Sequence, residues 1–412
     1  MEEVVITGMG CVTDLGNTPD ELWSNLLAGK SGIGLIDRFH VETYPVRFAG
    51  QIKGFDASPY YSERDRKRIS RSIQYAVHSA ETALKMAGIE DSKTSVDVKR
   101  AAILVGSGMG GMDIFYESSA NLSAKGPKGV SPFFVPQAIA NMVAGEIGIR
   151  TGWMGPNWSP VSACATSNHS MISAADQIRL GRADIALAGG TEEAVCPIGL
   201  AGFASMKALA TNNEAPEKAS RPFDVKRSGF VLSEGAGILV LESLSHAKKR
   251  GAKIYARLLG YGMSCDAYHM SAPREDGEGV RLAIDMALRE AGISVEQIGY
   301  VNTHGTSTPR GDVAECGAIF KAFNGKIDNV KINSTKSMTG HMLGAASAME
   351  AIVTIKSLME QKLHQTLNLE NQDPEIPFDC CKGGNVEHKF EYALSNSFGF
   401  GGHNSVLVFG KA

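Results

Sequence analysis

The chain is predicted to be an α/β protein built from two related halves, and three observations carry that expectation. Short apolar runs end in glycine or polar turns: VVITGMG, AAILVGSG, ADIALAGG, AGILVLE and VLVFG. Continuous runs of this kind suit strands buried on both faces. Longer amphipathic stretches, SIQYAVHSAETALKMAG and GVRLAIDMALREAG, lie between the runs and have helical spacing. Finally, ALKMAGI at 83–89 returns as ALREAGI at 287–293, displaced by about half the chain. A seven-residue match between amphipathic helices can arise by chance. Here each copy leads into a strand and a polar glycine turn, AAILVGSG in one half and IGYVNTHGTST in the other. The shared order argues for duplication, and two related α/β halves place a site where their strand ends meet.

Composition bounds the possibilities. The 412 residues carry 41 Lys and Arg against 44 Asp and Glu, a formal charge of −3, with 43% hydrophobic residues. This is an ordinary globular balance, long enough for two domains or one duplicated one. Near-neutral charge argues against nucleic-acid binding by whole-surface attraction and leaves room for a local basic patch. The seven cysteines are scattered and no CxxC pair is present, so neither a disulfide framework nor a zinc ribbon is expected. No run approaches the ~18 apolar residues of a membrane span, and MEEVVITGMG does not read as a secretion signal. The polar loop ATNNEAPEKASRPFD (210–224) is expected as a surface excursion within the first half.

Cys164 sits in VSACATSNH, before a segment with helical spacing. A strand–helix junction brings amide groups and the positive dipole end to the sulfur, which favours a thiolate. A free cysteine is also a common buried spacer, and position alone leaves both readings open. His304 in VNTHGTST follows an apolar strand, and His341 in NSTKSMTGHMLGAASAMEA enters an alanine-rich helix. One histidine alone is usually structural. A cysteine and two histidines, all at element ends near glycines, point to nucleophilic chemistry without separating a thiol hydrolase from an acyl transferase.

Other segments are weighed in the same way. GSGMGG (106–111) matches GxGxxG after a strand, but the region 126–136 has no acidic residue and three prolines. A dinucleotide fold is therefore not expected. FGFGGHN (398–404) reads as a mobile turn carrying Phe400, with a plain hairpin turn as the alternative. ERDRKRISR (63–71) holds five basic residues, which suits either a solvated face or a docking patch for an acidic partner.

Together VSACATSNH, RPFDVKRSGFVLSEGAG, NTHGTSTPRGD, NSTKSMTGHMLGAA and SNSFGFGG resemble the elongating β-ketoacyl-acyl-carrier-protein synthases of fatty-acid synthesis, over essentially the whole chain. The resemblance implies a thiolase-like fold: two duplicated halves in α-β-α-β-α layers, here 1–250 with Cys164 and 251–412 with His304, Lys336 and His341. It implies Cys164 as the acyl-accepting nucleophile, His304 and His341 as the paired active-site histidines, and Lys336 beside them. Glu350 matches a further residue near the active centre. Backbone N–H groups of Cys164 and Phe400 would form the oxyanion hole, and Phe400 would act as the gate. Thr306 and Thr308 would hold the phosphopantetheine arm, while Met109, Phe203 and Phe400 surround the acyl pocket. Arg66, Lys67, Arg68 and Lys207 fall where the family meets its acidic carrier protein.

The implied partners are acyl carrier protein, loaded with acyl and malonyl groups, and a second copy of the chain. No metal and no cofactor beyond the carrier's 4′-phosphopantetheine are expected. The compartment implied is bacterial cytoplasm or plastid stroma. Thiolases use a second cysteine in their C-terminal glycine motif, and SNSFGFGGHN has none. Starter condensing enzymes carry asparagine where His341 stands. The resemblance is read as type II-like; a β-ketoacyl-acyl-carrier-protein synthase I, a polyketide ketosynthase and a non-catalytic chain-length-factor-like subunit are the alternatives, and the last lacks the cysteine. Many bacterial members have threonine at the position of His403, which is given no catalytic role. His169 is read as structural.

Overall fold

The computed structural model describes residues 2–412. Ten strands form the scaffold: β1 (Val4–Val12), β2 (Ala101–Gly106), β3 (Asn157–Trp158), β4 (Ile185–Glu192), β5 (Gly235–Ser243), β6 (Ala256–Cys265), β7 (Ile298–Asn302), β8 (Lys331–Asn333), β9 (Tyr392–Gly399) and β10 (His403–Gly410). Their spatial order is β8-β7-β9-β10-β6-β1-β5-β4-β2-β3. Read outward from the centre, each group of five runs first, fifth, fourth, second, third in chain order. The two halves therefore share one topology. They meet where β1 and β6 pair antiparallel through only Val4–Leu258, Val5–Arg257 and Ile6–Ala256.

Six helices complete the layers: α1 (Arg71–Met86), α2 (Met112–Lys125), α3 (Thr166–Arg179), α4 (Glu278–Ala291), α5 (Pro309–Ala322) and α6 (Ala346–Glu360). The inner helices α3 and α6 touch each other and strands of both halves, α3 reaching β4, β2 and β10, and α6 reaching β5 and β9. Helix α1 covers β1 and β5 on one outer side, and α4 covers β6 and β10 on the other. This is the expected α-β-α-β-α arrangement. Composition explains who lies where: every residue of α6 from Ala346 to Leu358 is buried, so the small side chains of ASAMEA let two sheets close on it. The outer helices keep one polar face, as amphipathic spacing requires.

The repeated heptapeptide proves to be a shared helix end. Helix α1 closes before Gly88 at φ +71° and α4 before Gly292 at φ +66°, both in the left-handed region that glycine adopts without strain. Loop 210–224 departs from expectation. It is exposed or half-buried from Thr211 to Lys218, but Ala210, Ala219, Ser220 and Pro222 to Asp224 are buried. The Asp224 carboxylate accepts the backbone N–H groups of Lys226, Glu370 and Asn371 and the Arg221 guanidinium, which draws this polar stretch inside.

Candidate active site

Cys164 lies in a 3-10 turn, Ala163–Ala165, directly before α3. The turn is strained: Ala163 has φ +51°, a conformation that costs a non-glycine residue on the order of 1 kcal/mol and recurs at functional sites. The hydroxyl of Ser397 on β9 donates to the Cys164 carbonyl at 2.9 Å, so the second half fixes the turn of the first. His341 Nε2 is 3.0 Å from Cys164 Sγ. His304, just past β7, meets His341 edge-to-face with ring centroids 5.3 Å apart. Phe230 and Phe398 flank the two imidazoles edge-on at 5.3 and 5.5 Å. The sulfur and two ring nitrogens lie within 4.8 Å of one another, all buried. The same set offers a soft metal one sulfur and two nitrogens.

Around this centre stand buried charges. Lys336 Nζ is ion-paired with Glu350, donates to the His304 carbonyl at 2.7 Å and lies 3.4 Å from His304 Nδ1. Glu315 on α5 accepts the N–H groups of His304 and Gly305, each at 2.8 Å, and an amide N–H of Asn396 at 3.1 Å. Burial drives both His304 and His341 well below the usual imidazole range, reinforced by the Lys336 charge. Each ring is therefore a neutral imidazole near pH 7, able to present an N–H to developing negative charge. Burial also pushes the Cys164 thiol up to about 12, with Lys336 opposing and Glu192 and Glu350 adding to the rise. This corrects the expectation of a thiolate. The helix start is present, but removal from water outweighs it, and the resting group is a thiol beside the His341 nitrogen.

A cavity of about 610 Å³ opens onto these residues. Met109, Phe203, Lys207, Thr306, Thr308 and Phe400 all line it, and Thr306 and Thr308 are linked through their hydroxyls at 3.0 Å. Phe400 sits at the tip of the β9–β10 hairpin, with its N–H directed at the Cys164 sulfur. The turn FGFGG is thus a hairpin turn, placed at the nucleophile. Arg66, Lys67 and Arg68 lie outside the cavity and each has an acidic neighbour, Asp56 at 3.9 Å, Glu63 at 3.1 Å and Asp65 at 3.7 Å. Arg68 stacks on Phe133 at 4.7 Å.

His169 bonds through Nδ1 to Ser162 Oγ at 2.5 Å, which agrees with a structural role, and His403 faces it at 6.4 Å. Sequence reasoning missed Glu192, Glu315, Arg274 and Arg310. The two arginines line the cavity with Lys207. Arg310 stands in the singled-out segment NTHGTSTPRGD, two residues past Thr308, so it was within reach. The carboxylates act on backbone N–H groups brought from distant segments, which no local pattern announces.

Comparison with known proteins agrees with this geometry. The β-ketoacyl synthase N-terminal domain matches residues 1–247 and its C-terminal domain residues 255–370. The chain is 49% identical over 411 residues to the chloroplastic 3-oxoacyl-[acyl-carrier-protein] synthase I of Hordeum vulgare, covering 99% of this chain and 89% of the barley protein. It is 48% identical to 3-oxoacyl-[acyl-carrier-protein] synthase 2 of Vibrio cholerae, covering 98% of each. A β-ketoacyl synthase from Burkholderia phymatum superposes with a TM-score of 0.94 at 35% identity, over 100% of both chains. A ketosynthase solved in complex with its type II polyketide acyl-carrier protein superposes with a TM-score of 0.92 at 32% identity, again over 100% of both. With both domains matched and nearly half the residues shared along the full length, the chain belongs to the β-ketoacyl synthase family of acyl-transferring condensing enzymes.

Proposed function

We propose that Cys164, His304 and His341 carry the two half-reactions of a 3-oxoacyl-[acyl-carrier-protein] synthase of fatty-acid elongation. The observation that carries this reading is the 3.0 Å contact between Cys164 Sγ and His341 Nε2, both lining a cavity of about 610 Å³. In the first half-reaction the sulfur attacks an acyl-carrier thioester. A new S–C bond forms at Cys164, the pantetheine C–S bond breaks, and the thiol proton passes by way of His341 to the departing pantetheine sulfur. The N–H groups of Cys164 and Phe400 stabilise the tetrahedral oxyanion.

In the second, malonyl-carrier loses CO₂, and the electrons of the broken C–C bond become an enolate. His304 and His341 donate to its oxygen, each through the one ring N–H that a neutral imidazole retains. The enolate carbon attacks the Cys164 thioester, the C–S bond breaks, the released sulfur takes a proton from water to return to the thiol, and 3-oxoacyl-carrier leaves. Lys336, held by Glu350, fixes His304 through its carbonyl. Thr306 and Thr308 hold the pantetheine arm, and Met109, Phe203 and Phe400 bound the acyl chain. Lys207, Arg274 and Arg310 at the mouth, with Arg66, Lys67 and Arg68 nearby, receive the acidic carrier protein. No cofactor beyond the carrier's own arm enters either step.

The chain works as a homodimer, supported by the exposed apolar residues of α2 and by the open edge of strand β3. Its setting is a bacterial cytoplasm or a plastid stroma, a reading supported by relatives that include bacterial and chloroplastic enzymes. The test is direct: acyl-carrier and malonyl-carrier should yield one CO₂ per 3-oxoacyl-carrier, with an acyl adduct on the Cys164 peptide. Condensation undiminished in Cys164→Ala would refute the assignment.

A further inference from the structure

Cys164 and Gly344 hold equivalent places in the two halves. Each is the middle residue of a 3-10 turn, 163–165 or 343–345, that opens an inner helix, α3 or α6. Each follows a non-glycine residue at left-handed φ, Ala163 at +51° and Leu343 at +47°. Each carbonyl accepts a serine hydroxyl, from Ser397 for Cys164 and from Ser167 for Gly344. The nucleophile turn is thus present twice, with glycine in place of cysteine in the second copy.

The second copy already holds a carboxyl group, Glu192, which burial raises to about 7. The Gly344 N–H donates to Glu192 Oε2 at 3.0 Å, and the Gly108 N–H donates to the same oxygen at 2.9 Å. Glu192 Oε1 accepts Ser107 Oγ at 2.9 Å and the Met109 N–H at 3.2 Å. The side chain is fully buried. Both glycines make room for it: a Cβ at Gly108 would stand 2.9 Å from Oε2, and one at Gly344 2.8 Å. One carboxylate therefore ties together the end of β4, the cavity wall at Gly108–Met109, and the turn that follows His341.

We propose that Glu192 is a positioning residue of the condensation: it occupies the second copy's anion hole, and so sets Met109 and the His341–Gly344 segment around Cys164. Its charge also opposes negative charge on the Cys164 sulfur. The charged and titratable groups around that sulfur are Lys336, Glu192 and Glu350, with His304 and His341. This inference rests on the roles given above to Cys164 and His341.

Glu192→Gln keeps the volume and removes the charge; with its oxygen kept on the Gly108 and Gly344 N–H groups, its NH2 faces Ser107, which can accept it, and the Met109 N–H, which loses its acceptor. Condensation kcat/KM should fall about tenfold, the scale expected when a buried N–H loses a charged acceptor. Discrimination along a ladder of acyl lengths should flatten, because Met109 is no longer held. Alkylation of the Cys164 peptide by iodoacetamide, followed by mass spectrometry at pH 7 to 9, should become severalfold faster. A residue that merely supports the fold would slow both reactions together with a fall in Tm. Ser107→Ala removes a single donor and should move both rates in the same directions by less, which keeps the test usable if Glu192→Gln folds poorly. Unchanged condensation, or alkylation that stays the same or slows in both variants, would overturn the proposal. Failure of the Cys164 reading shows itself separately, as wild-type protein that still condenses after Cys164 is fully alkylated.

Discussion

A thiol pushed up to about 12 by burial and two imidazoles held neutral by the same cause make a site that carries little charge at rest. Lys336 and Glu350 are the buried ion pair beside it. For Cys164 the consequence is a reactivity that keeps climbing with pH. The thiolate fraction should rise about tenfold per unit from pH 7 to 9, since both lie well below its pKa. Iodoacetamide labelling read on the Cys164 peptide, separately from exposed Cys265, tests this; a plateau below pH 9 would show that the helix start outweighs burial after all. For Lys336 the consequence is stability. Breaking a buried pair by removing one partner costs about 3–5 kcal/mol. Glu350 is already raised to about 7 by burial, despite the lysine. A raised carboxyl contributes stability that is present at low pH and lost as the pH climbs through its folded value. Lys336→Ala should therefore be more destabilised at pH 8 than at pH 6. Denaturant titrations at the two pH values check the sign, and adding Glu350→Gln should remove most of the difference.

The β9–β10 hairpin joins the gate to the nucleophile, and Gly399 is the close contact. A Cβ there would stand 2.5 Å from the Ser162 carbonyl oxygen and 3.2 Å from the Cys164 nitrogen, both backbone atoms with little freedom to yield. Gly399→Ala should displace the strained turn and reduce acylation of Cys164 at least a hundredfold, the scale of a misplaced reactive centre. Circular dichroism should show the fold retained, because the contact is local. Near-normal acylation in this variant would mean that the turn is not held by the hairpin. At this scale the sequence was informative wherever a local pattern carries the chemistry. Cysteine at a helix start, histidine after a strand and glycines around Phe400 are all short-range signals. The repeated ALKMAGI and ALREAGI marked a shared helix end because a left-handed glycine closes both. Glu192 and Glu315 were illegible for the converse reason: their partners are backbone N–H groups delivered by other elements, and a glutamate in a strand or helix looks the same whether or not such groups surround it. The burial of SRPFD was hidden too, since Asp224 draws its donors from residues 226, 370 and 371.

Across the whole molecule, duplication explains why one site exists and not two: equivalent turns sit at the starts of α3 and α6, and only one bears a thiol. The halves are legible from the repeat, but the five layers are not, because period and length cannot tell that two separate helices share one interior. Nor does composition reveal the surface that the monomer leaves apolar. Helix α2 spans 14 residues and buries none of them, although it contains Phe115, Tyr116 and Leu122. It packs on the short helix Phe134–Ala138, where Val135 is 57% exposed; that helix touches Met142–Thr151, which in turn touches edge strand β3, where Trp158 is 39% exposed. Strand β3 has a neighbour on one side only. An exposed apolar helix and an open strand edge are each a liability for a lone subunit and a ready interface for two. A two-fold pairing through this face would bury both at once. Light scattering should accordingly report twice 43.8 kDa. Trp158→Glu with Val135→Asp should shift the protein to monomer, since two carboxylates would have to be buried without partners. A monomeric wild type, or a double variant that still dimerises, would place the interface elsewhere.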